Sequence, residues 1–410
     1  MTDEPIIVGI DIGTTKICTL VARVVGDHNF RILGVGIEPS QGIKKGTIVD
    51  INAAARSIAK SVEKAQRTSG FEITSALVSL AGSHVSSINS RGVVGISGRI
   101  IDQHDIDRTL DAAQAVAIPH NREVIHVIQR GFVVDGQDGI RQPVGMHGYR
   151  LEVEAHIITA ASATVENLRE CVQTSGIAVS QFVLNPLASA EVVLTETERQ
   201  MGAVVCDIGG GTTDMAIYIE GDVWHTMVLA VGGNHITSDI AHGLRLPTDE
   251  AEEVKKKFSF AIEDRISEDE AFPVRAFGQD APSHILRKDL AHITEARVEE
   301  IFELVLQEIK RSGYDGLLPA GMILTGGTSQ LPGIKELASQ ILGLPVRVAQ
   351  PQNLVGMVDQ LHSPAYATSV GLLNWALLMN DAIQPTQSHR YKSKKMDIES
   401  IKNFLYRLLP

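Results

Sequence analysis

Hydrophobic residues recur along this chain with two different periods, and the alternation between them outlines its elements. Ile6 to Ile12 and Ile17 to Ala22 are β-rich runs either side of Gly13-Thr14-Thr15-Lys16, which predicts a hairpin. The design returns at Ala203 to Ile208 and Met215 to Ile219, around Gly209-Gly210-Gly211-Thr212-Thr213. Asp11 and Asp207 occupy the same place in the two copies, each followed by Ile-Gly and then by a Thr-Thr pair. Such an internal repeat predicts two related lobes facing each other across a cleft.

Helical spacing is carried by Ala55, Ile58, Ala59 and Val62 within Asn52–Thr68, and strand character by Ile73–Leu80. From His84 to about Ala161 the texture changes to short strands and many charges, with a helix near Asp105–Ala117, as expected of a separately folded insertion. Helices are expected at Val165–Gly176, Pro186–Thr195, Ser238–Phe258, Glu295–Arg311, Leu331–Leu342 and Ala365–Met379. Gly321 to Thr325 reads as a buried strand ending in Gly326-Gly327-Thr328. Asp381 to Lys395 has linker composition, and a short helix is expected over Asp397–Leu409.

Composition narrows the class. At 410 residues the chain exceeds one ordinary core, and 44% hydrophobic with 21% charged residues excludes disorder for most of its length. A formal charge of −12 argues against a nucleic-acid partner, because the average surface repels a polyanion. Cys18, Cys171 and Cys206 have no C-x-x-C spacing and read as core thiols of a reducing compartment. No basic leader precedes the first strand, and the longest apolar run, Val370 to Met379, is too short to span a bilayer.

The repeated turns carry the chemistry. Small residues let backbone N–H groups approach phosphate oxygens, and threonine hydroxyls add donors. Gly13, Thr14, Thr15 and Gly209, Gly210, Gly211, Thr212, Thr213 supply both, and Lys16 is placed to neutralise terminal phosphate charge. Asp11 and Asp207 suit a magnesium ion held through water, since magnesium gives up its hydration reluctantly. Either hairpin alone would be an ordinary turn; two with matching aspartates are not. Gly326, Gly327 and Thr328 would set backbone against a base or ribose, and no Walker or Rossmann loop is present.

The tail is amphipathic. Ile398, Ile401, Phe404, Leu405, Leu408 and Leu409 fall on one helical face, opposite Glu399, Lys402, Asn403 and Arg407, with Lys394 and Lys395 just upstream. Residues 390–410 hold six basic and two acidic side chains, a net of +4 on a chain of −12. A basic amphipathic helix behind a linker predicts an interfacial anchor to anionic lipid; a helix folded back on its own core is the alternative.

Two phosphate hairpins followed by a Gly-Gly strand end resemble the actin, sugar kinase and chaperone ATPase superfamily. Within it the chain is most similar to the FtsA family of bacterial cell-division proteins, over essentially its whole length. The resemblance rests on Gly42-Ile43-Lys44-Lys45-Gly46-Thr47-Ile48-Val49-Asp50-Ile51, Pro186-Leu187-Ala188-Ser189-Ala190-Glu191, Asp207 to Asp214, Leu324 to Thr328, the insertion and the tail. It implies an α/β, two-lobed actin-like fold of duplicated ribonuclease-H-like domains with an inserted 1C subdomain and a C-terminal amphipathic helix. The implied partition is 1A at 1–83 and 164–199, 1C at 84–163, 2A at 200–245 and 313–364, 2B at 246–312, a closing helix at 365–380, a linker at 381–396 and the membrane helix at 397–410. It also implies ATP and Mg2+ as cofactors, with Glu252 and Lys255 on the helix that touches ribose and adenine in relatives. The implied partners are FtsZ, further copies of the chain in a filament, other divisome proteins and lipid, at the cytoplasmic face of the inner membrane at the septum. Relatives that hydrolyse ATP carry Glu or Gln where this chain has Asn185, so ATP binding with at most slow turnover is expected. The readings from other classes are a small-molecule kinase, with Asp207 or Asp214 as base, and a pilus-assembly ATPase of the same fold.

Overall fold

The computed structural model describes residues 5–26, 29–98, 100–277 and 283–383. The first sheet has the order Ala178–Leu184, Ser75–Leu80, Ile6–Ile12, Lys16–Val25, Asn29–Pro39. Its last three strands form an antiparallel meander, and the first two lie parallel to Ile6–Ile12. The second five-stranded sheet repeats this plan in reverse order of mention: Asp222–Leu229, Thr213–Ile219, Ala203–Ile208, Gly321–Thr325, Val346–Val348. Again a meander leads into parallel strands, here pairing Ala203–Ile208 with Gly321–Thr325. The duplication read from two short motifs therefore extends to two whole sheets.

Each lobe has its own core. Ile10, Leu20, Val21, Ile58, Val78 and Val183 centre the first, which the C-terminal helix Ala367–Ile383 joins through Leu372, Leu373 and Trp375. Cys206, Met215, Ile236, Phe302, Met322 and Leu324 centre the second. The helix Ile51–Ser69 shows why local sequence suffices for such elements. Asp50 caps its N-terminus by accepting from Ala53 N, and Gly70 ends it in the left-handed conformation at φ 75°.

Three differences from the sequence reading have local causes. The run Ser238–Phe258 is two helices, Gly233–Gly243 and Thr248–Phe258, interrupted at Arg245 (φ 54°) and Pro247. The insertion is built of long strands, Val85–Gly95, Arg122–Val134 and Arg150–Ala161, with the short Gln137–Ile140 at one edge. Its outer face is polar, so the hydrophobic signal covered only alternate residues. The last core helix runs to Ile383, into the expected linker. The expected helix over 397–410 and residues 384–396 lie outside the described residues.

The inserted sheet packs its helix Gln103–Gln114 over a separate core of Ile101, Ile106, Leu110, Phe132, Leu151 and Val153. It docks on the second lobe through polar contacts to the edge strand Asp222–Leu229. Ser87 Oγ donates to the Thr226 carbonyl at 3.0 Å, and His156 bridges Asn89 Oδ1 (2.7 Å) and Thr226 Oγ1 (2.9 Å). His126, on the same face of the sheet, accepts from Leu184 N at 3.1 Å and meets the Trp375 ring edge-on.

Burial pushes His126 down to about 3, and burial, aided by the charges of His225 and Arg130, does the same to His156. Unfolded, both protonate near 6.5, so between about pH 3 and 6.5 the unfolded chain binds more protons and stability falls as pH falls. Each histidine removes about 1.4 kcal/mol per pH unit below that window's upper edge. Thermal melts from pH 7 to 5 should show this loss, and His156→Gln should make the slope shallower.

Candidate functional site

The two hairpin turns are built alike. Gly13 N donates to the Lys16 carbonyl at 3.0 Å, and Gly209 N to the Thr212 carbonyl at 2.9 Å. Register places Asp11 opposite Cys18 and Asp207 opposite Asp214. Equivalence by register also shows that the two Thr-Thr pairs do not correspond. Thr14 and Thr15 match Gly210 and Gly211 at the turn tips, whereas Thr212 matches Lys16. The tips face each other across the cleft: a Cβ on Gly210 would collide with Thr15, and one on Gly211 with Thr14.

Around these tips lie two adjoining cavities. The smaller, about 140 Å3, is lined by Asp11, Gly13, Thr14, Thr15, Lys16, Asn185, Asp207, Gly209, Gly210, Gly211, Thr212, Asp214, Gly326 and Gly327, among others. The larger, about 530 Å3, is lined by Glu252, Lys255, Lys256, Thr328, Gln330 and Asn234, and shares Thr15, Gly210 and Gly327 with the first. Every expected phosphate, base and cation residue thus borders one or other of these adjoining cavities, except Thr213. That side chain is wholly buried, and its hydroxyl donates to the Val231 carbonyl at 2.9 Å.

Several segments hold this geometry. Gly326 adopts φ 85°, and any Cβ there would collide with the Asp207 carboxylate, so only glycine lets the strand end beside it. The loop before the helix Gly233–Gly243 underpins the second turn, with Gly233 N on Gly209 O (3.0 Å) and Asn234 N on Gly210 O (2.7 Å). Glu252 and Lys255 are not a solvated pair. Lys255 Nζ donates to Glu252 Oε2 (2.7 Å), Thr237 Oγ1 (2.8 Å) and the Gly233 carbonyl (3.1 Å), which fixes both at the cavity wall. Lys16 Nζ donates to the Ala365 carbonyl and lies 3.9 Å from the centre of the Tyr366 ring.

The electrostatics of the smaller cavity are those of an acidic site short of a cation. Burial, reinforced by the Asp11 charge and opposed by a Thr368 hydrogen bond, pushes the Asp207 carboxyl up to about 6. Burial and the Asp207 charge hold Asp214 well above the carboxylate range. Asn185 Oδ1 and Asp214 Oδ1, both bordering the cavity, are buried without a hydrogen-bond partner. Such orphaned acceptors suit the donor waters of a hydrated cation. Among the described residues no three His, Cys, Asp or Glu side chains are grouped to hold a metal ion directly. Asp11, Asp207 and these acceptors would suit a magnesium ion that keeps its own water.

Sequence reasoning passed over Ser79, Thr368 and Ser369, whose hydroxyls hold the aspartates, and Gly232-Gly233 beneath the second turn. The Gly-Gly pair after a strand was a usable signal; the three hydroxyls carried none.

Two meander-led sheets enclosing paired turns define the actin-like class. Solved structures agree on the fold. A PilM–PilN type IV pilus biogenesis complex matches with TM-score 0.63 at 15% identity, covering 89% of this chain and 97% of that one. MreB5 of Spiroplasma citri bound to ADP matches with TM-score 0.57 at 16% identity, covering 92% and 98%; its AMPPNP-bound form is similar, at 0.55. Family models for cell division protein FtsA and for the SHS2 domain inserted in FtsA match residues 204–371 and 82–159. The cell division protein FtsA of Pseudomonas aeruginosa is 44% identical over 371 residues, 90% of this chain and 89% of that protein. Those of Bacillus subtilis and Escherichia coli K12 are 40% and 35% identical over 92% and 91% of the chain. The chain belongs to the FtsA family of cell division proteins.

Asp207 carries a test of the cation-poor site. Its folded pKa is raised, so between about pH 4 and 6 the folded state binds more protons and stability falls as pH rises. Asp207→Asn removes that cost and should stabilise the ligand-free protein at pH 7 by about 1–3 kcal/mol. Melting curves with and without magnesium nucleotide would show the ligand-free gain together with loss of the ligand-induced shift.

Proposed function

We propose that this chain is an ATP-binding, actin-like division protein that polymerises at the cytoplasmic face of the inner membrane. There it tethers the FtsZ ring and links it to later divisome proteins. The observation that carries the reading is the convergence of two like turns and the carboxylates of Asp11 and Asp207 on one cavity, with a roomier one adjoining it. Family membership supports the division role, and nucleotide-bound MreB5 structures of the same fold support the nucleotide.

In this reading the turn backbones at Gly13–Lys16 and Gly209–Thr212 cradle the phosphates, and Lys16 offsets their charge. Asp11 and Asp207 orient the waters of a magnesium ion, whose chemistry is to neutralise the phosphate oxygens. Glu252, Lys255 and Thr328 border the roomier end, where ribose and adenine fit. Asn185 opens its helix at the cavity wall with a free oxygen, but its side chain is one methylene shorter than Gln, so it positions an attacking water poorly. Binding thus outlasts hydrolysis, as suits a protein whose loaded state assembles.

The membrane part rests on sequence. Among the described residues no helix is long and apolar enough to cross a bilayer. The amphipathic face of Ile398, Ile401, Phe404, Leu405, Leu408 and Leu409, flanked by Lys394, Lys395, Lys402 and Arg407, supports a peripheral anchor.

Two measurements test the reading. Purified protein should bind ATP and hydrolyse it on the order of 10⁻³ s⁻¹ or slower, with Asn185→Gln raising turnover severalfold; rapid hydrolysis by the unaltered chain would contradict it. Deleting 397–410, or Phe404→Glu, should release the protein from anionic liposomes in co-sedimentation while ATP binding persists.

A further inference from the structure

The C-terminal helix enters the cleft by its N-terminus, and two successive hydroxyls in its first turn end on different lobes. Thr368 Oγ1 donates to Asp207 Oδ2 at 2.8 Å, and Ser369 Oγ donates to Asp11 Oδ2 at 2.7 Å. Both donors are buried, at 6% and 1% exposure, so solvent does not compete for either bond. The other oxygen of Asp11 accepts from Ser79 Oγ at 3.1 Å, and Ser79 is itself fixed by Ile12 N at 2.8 Å. One helical turn therefore ties together the two carboxylates that end the duplicated strands.

The geometry points to Thr368 and Ser369 as positioning residues for a hydrated divalent cation brought in with the nucleotide, an inference that rests on the nucleotide reading of this cleft. An aspartate held only by its backbone turns about two side-chain bonds and reaches the ion's water shell at an ordering cost. A hydroxyl on one oxygen fixes the carboxylate plane and leaves lone pairs aimed at the cavity. Because the two hydroxyls are sequence neighbours on a helix, their spacing is that of the helix backbone, and so is the spacing of the two carboxylates. The helix cannot drift to relax it. At Gly371, two residues on, it lies so close to the helix Asn185–Val193 that a Cβ would collide with the Ala188 carbonyl oxygen.

A clip of this kind acts on the metal-loaded nucleotide, not on the nucleotide alone. The phosphates meet turn backbone and Lys16, neither of which depends on these hydroxyls; only the cation's waters meet the two carboxylates. Removing a hydroxyl should therefore weaken binding with magnesium and leave binding without it nearly unchanged.

The test is ATP titration of the full-length chain with excess Mg2+ and with EDTA, for the unaltered protein and for Ser369→Ala, Thr368→Val, Ser369→Thr and Thr368→Ser. Expected for the first two variants is an EDTA affinity within about twofold of the unaltered protein and a magnesium-dependent gain reduced about tenfold, the range for lost support of a metal site. The hydroxyl-retaining variants should recover most of that gain. The inference is overturned if Ser369→Ala and Thr368→Val keep the full gain, or if they weaken binding equally under both conditions, the mark of a merely structural role. Should Thr368→Val fail to melt cooperatively, Ser369→Ala, which removes one oxygen, decides alone. An unaltered protein that binds no ATP in either condition overturns the nucleotide reading itself, a result distinct from any difference among variants.

Discussion

Like charges do not share a dry crevice unless something holds them there, and in this protein Asp11 and Asp207 do share one. Each ends the first strand of its lobe, is only 6% exposed, and keeps company with Asp214. Repulsion and desolvation both favour pushing the lobes apart or protonating the acids. The counterweights are hydroxyl donors: Ser79 and Ser369 on Asp11, Thr368 on Asp207, and Thr212, from the same hairpin, on Asp214. The remainder of the cleft follows from that arrangement. The hairpin tips must be small to meet, Gly326 must take a left-handed turn to clear a carboxylate, and the C-terminal helix must lie against the helix Asn185–Val193 without a side chain between them.

That balance gives the ligand-free cleft a bias. An acidic crevice with unpaired acceptors at Asn185 and Asp214 is incomplete without positive charge. In the nucleotide reading proposed above, a cation carried in on phosphates would supply that charge, and stability given up in the empty site would return as affinity in the full one.

The inserted domain is attached on different terms. It has its own apolar core, and it meets the edge strand Asp222–Leu229 through Ser87, Asn89 and His156 beside an apolar patch in which its Val85, Ile128 and Ile158 join the main core with Val223 and Val228.

Much of this was written in local sequence. Strand and helix periodicity, the repeated Asp-Ile-Gly turns, the Gly-Gly strand end and the altered texture of the insertion are short-range patterns, and backbone geometry within a few residues dictates them. They named the hairpin and Gly-Gly residues at the cleft, but not Gly46, Ala81, Asn234, Gln330 or Thr368, which also border it. What they could not convey is which distant groups meet. Thr368 and Ser369 are unremarked helix positions until folding sets them beside strands more than 150 residues away. The pairing of Thr14 and Thr15 with Gly210 and Gly211, not with Thr212 and Thr213, is a fact of register between strands. Thr213 looked like a turn donor and is a buried strand residue because it pairs with Ile208, as Ile17 pairs with Ile12. Sequence determined the parts and their chemistry, since those depend on neighbours along the chain; tertiary structure alone decided the carboxylates' partners and charge state, since burial and long-range contact exist only once the chain has folded.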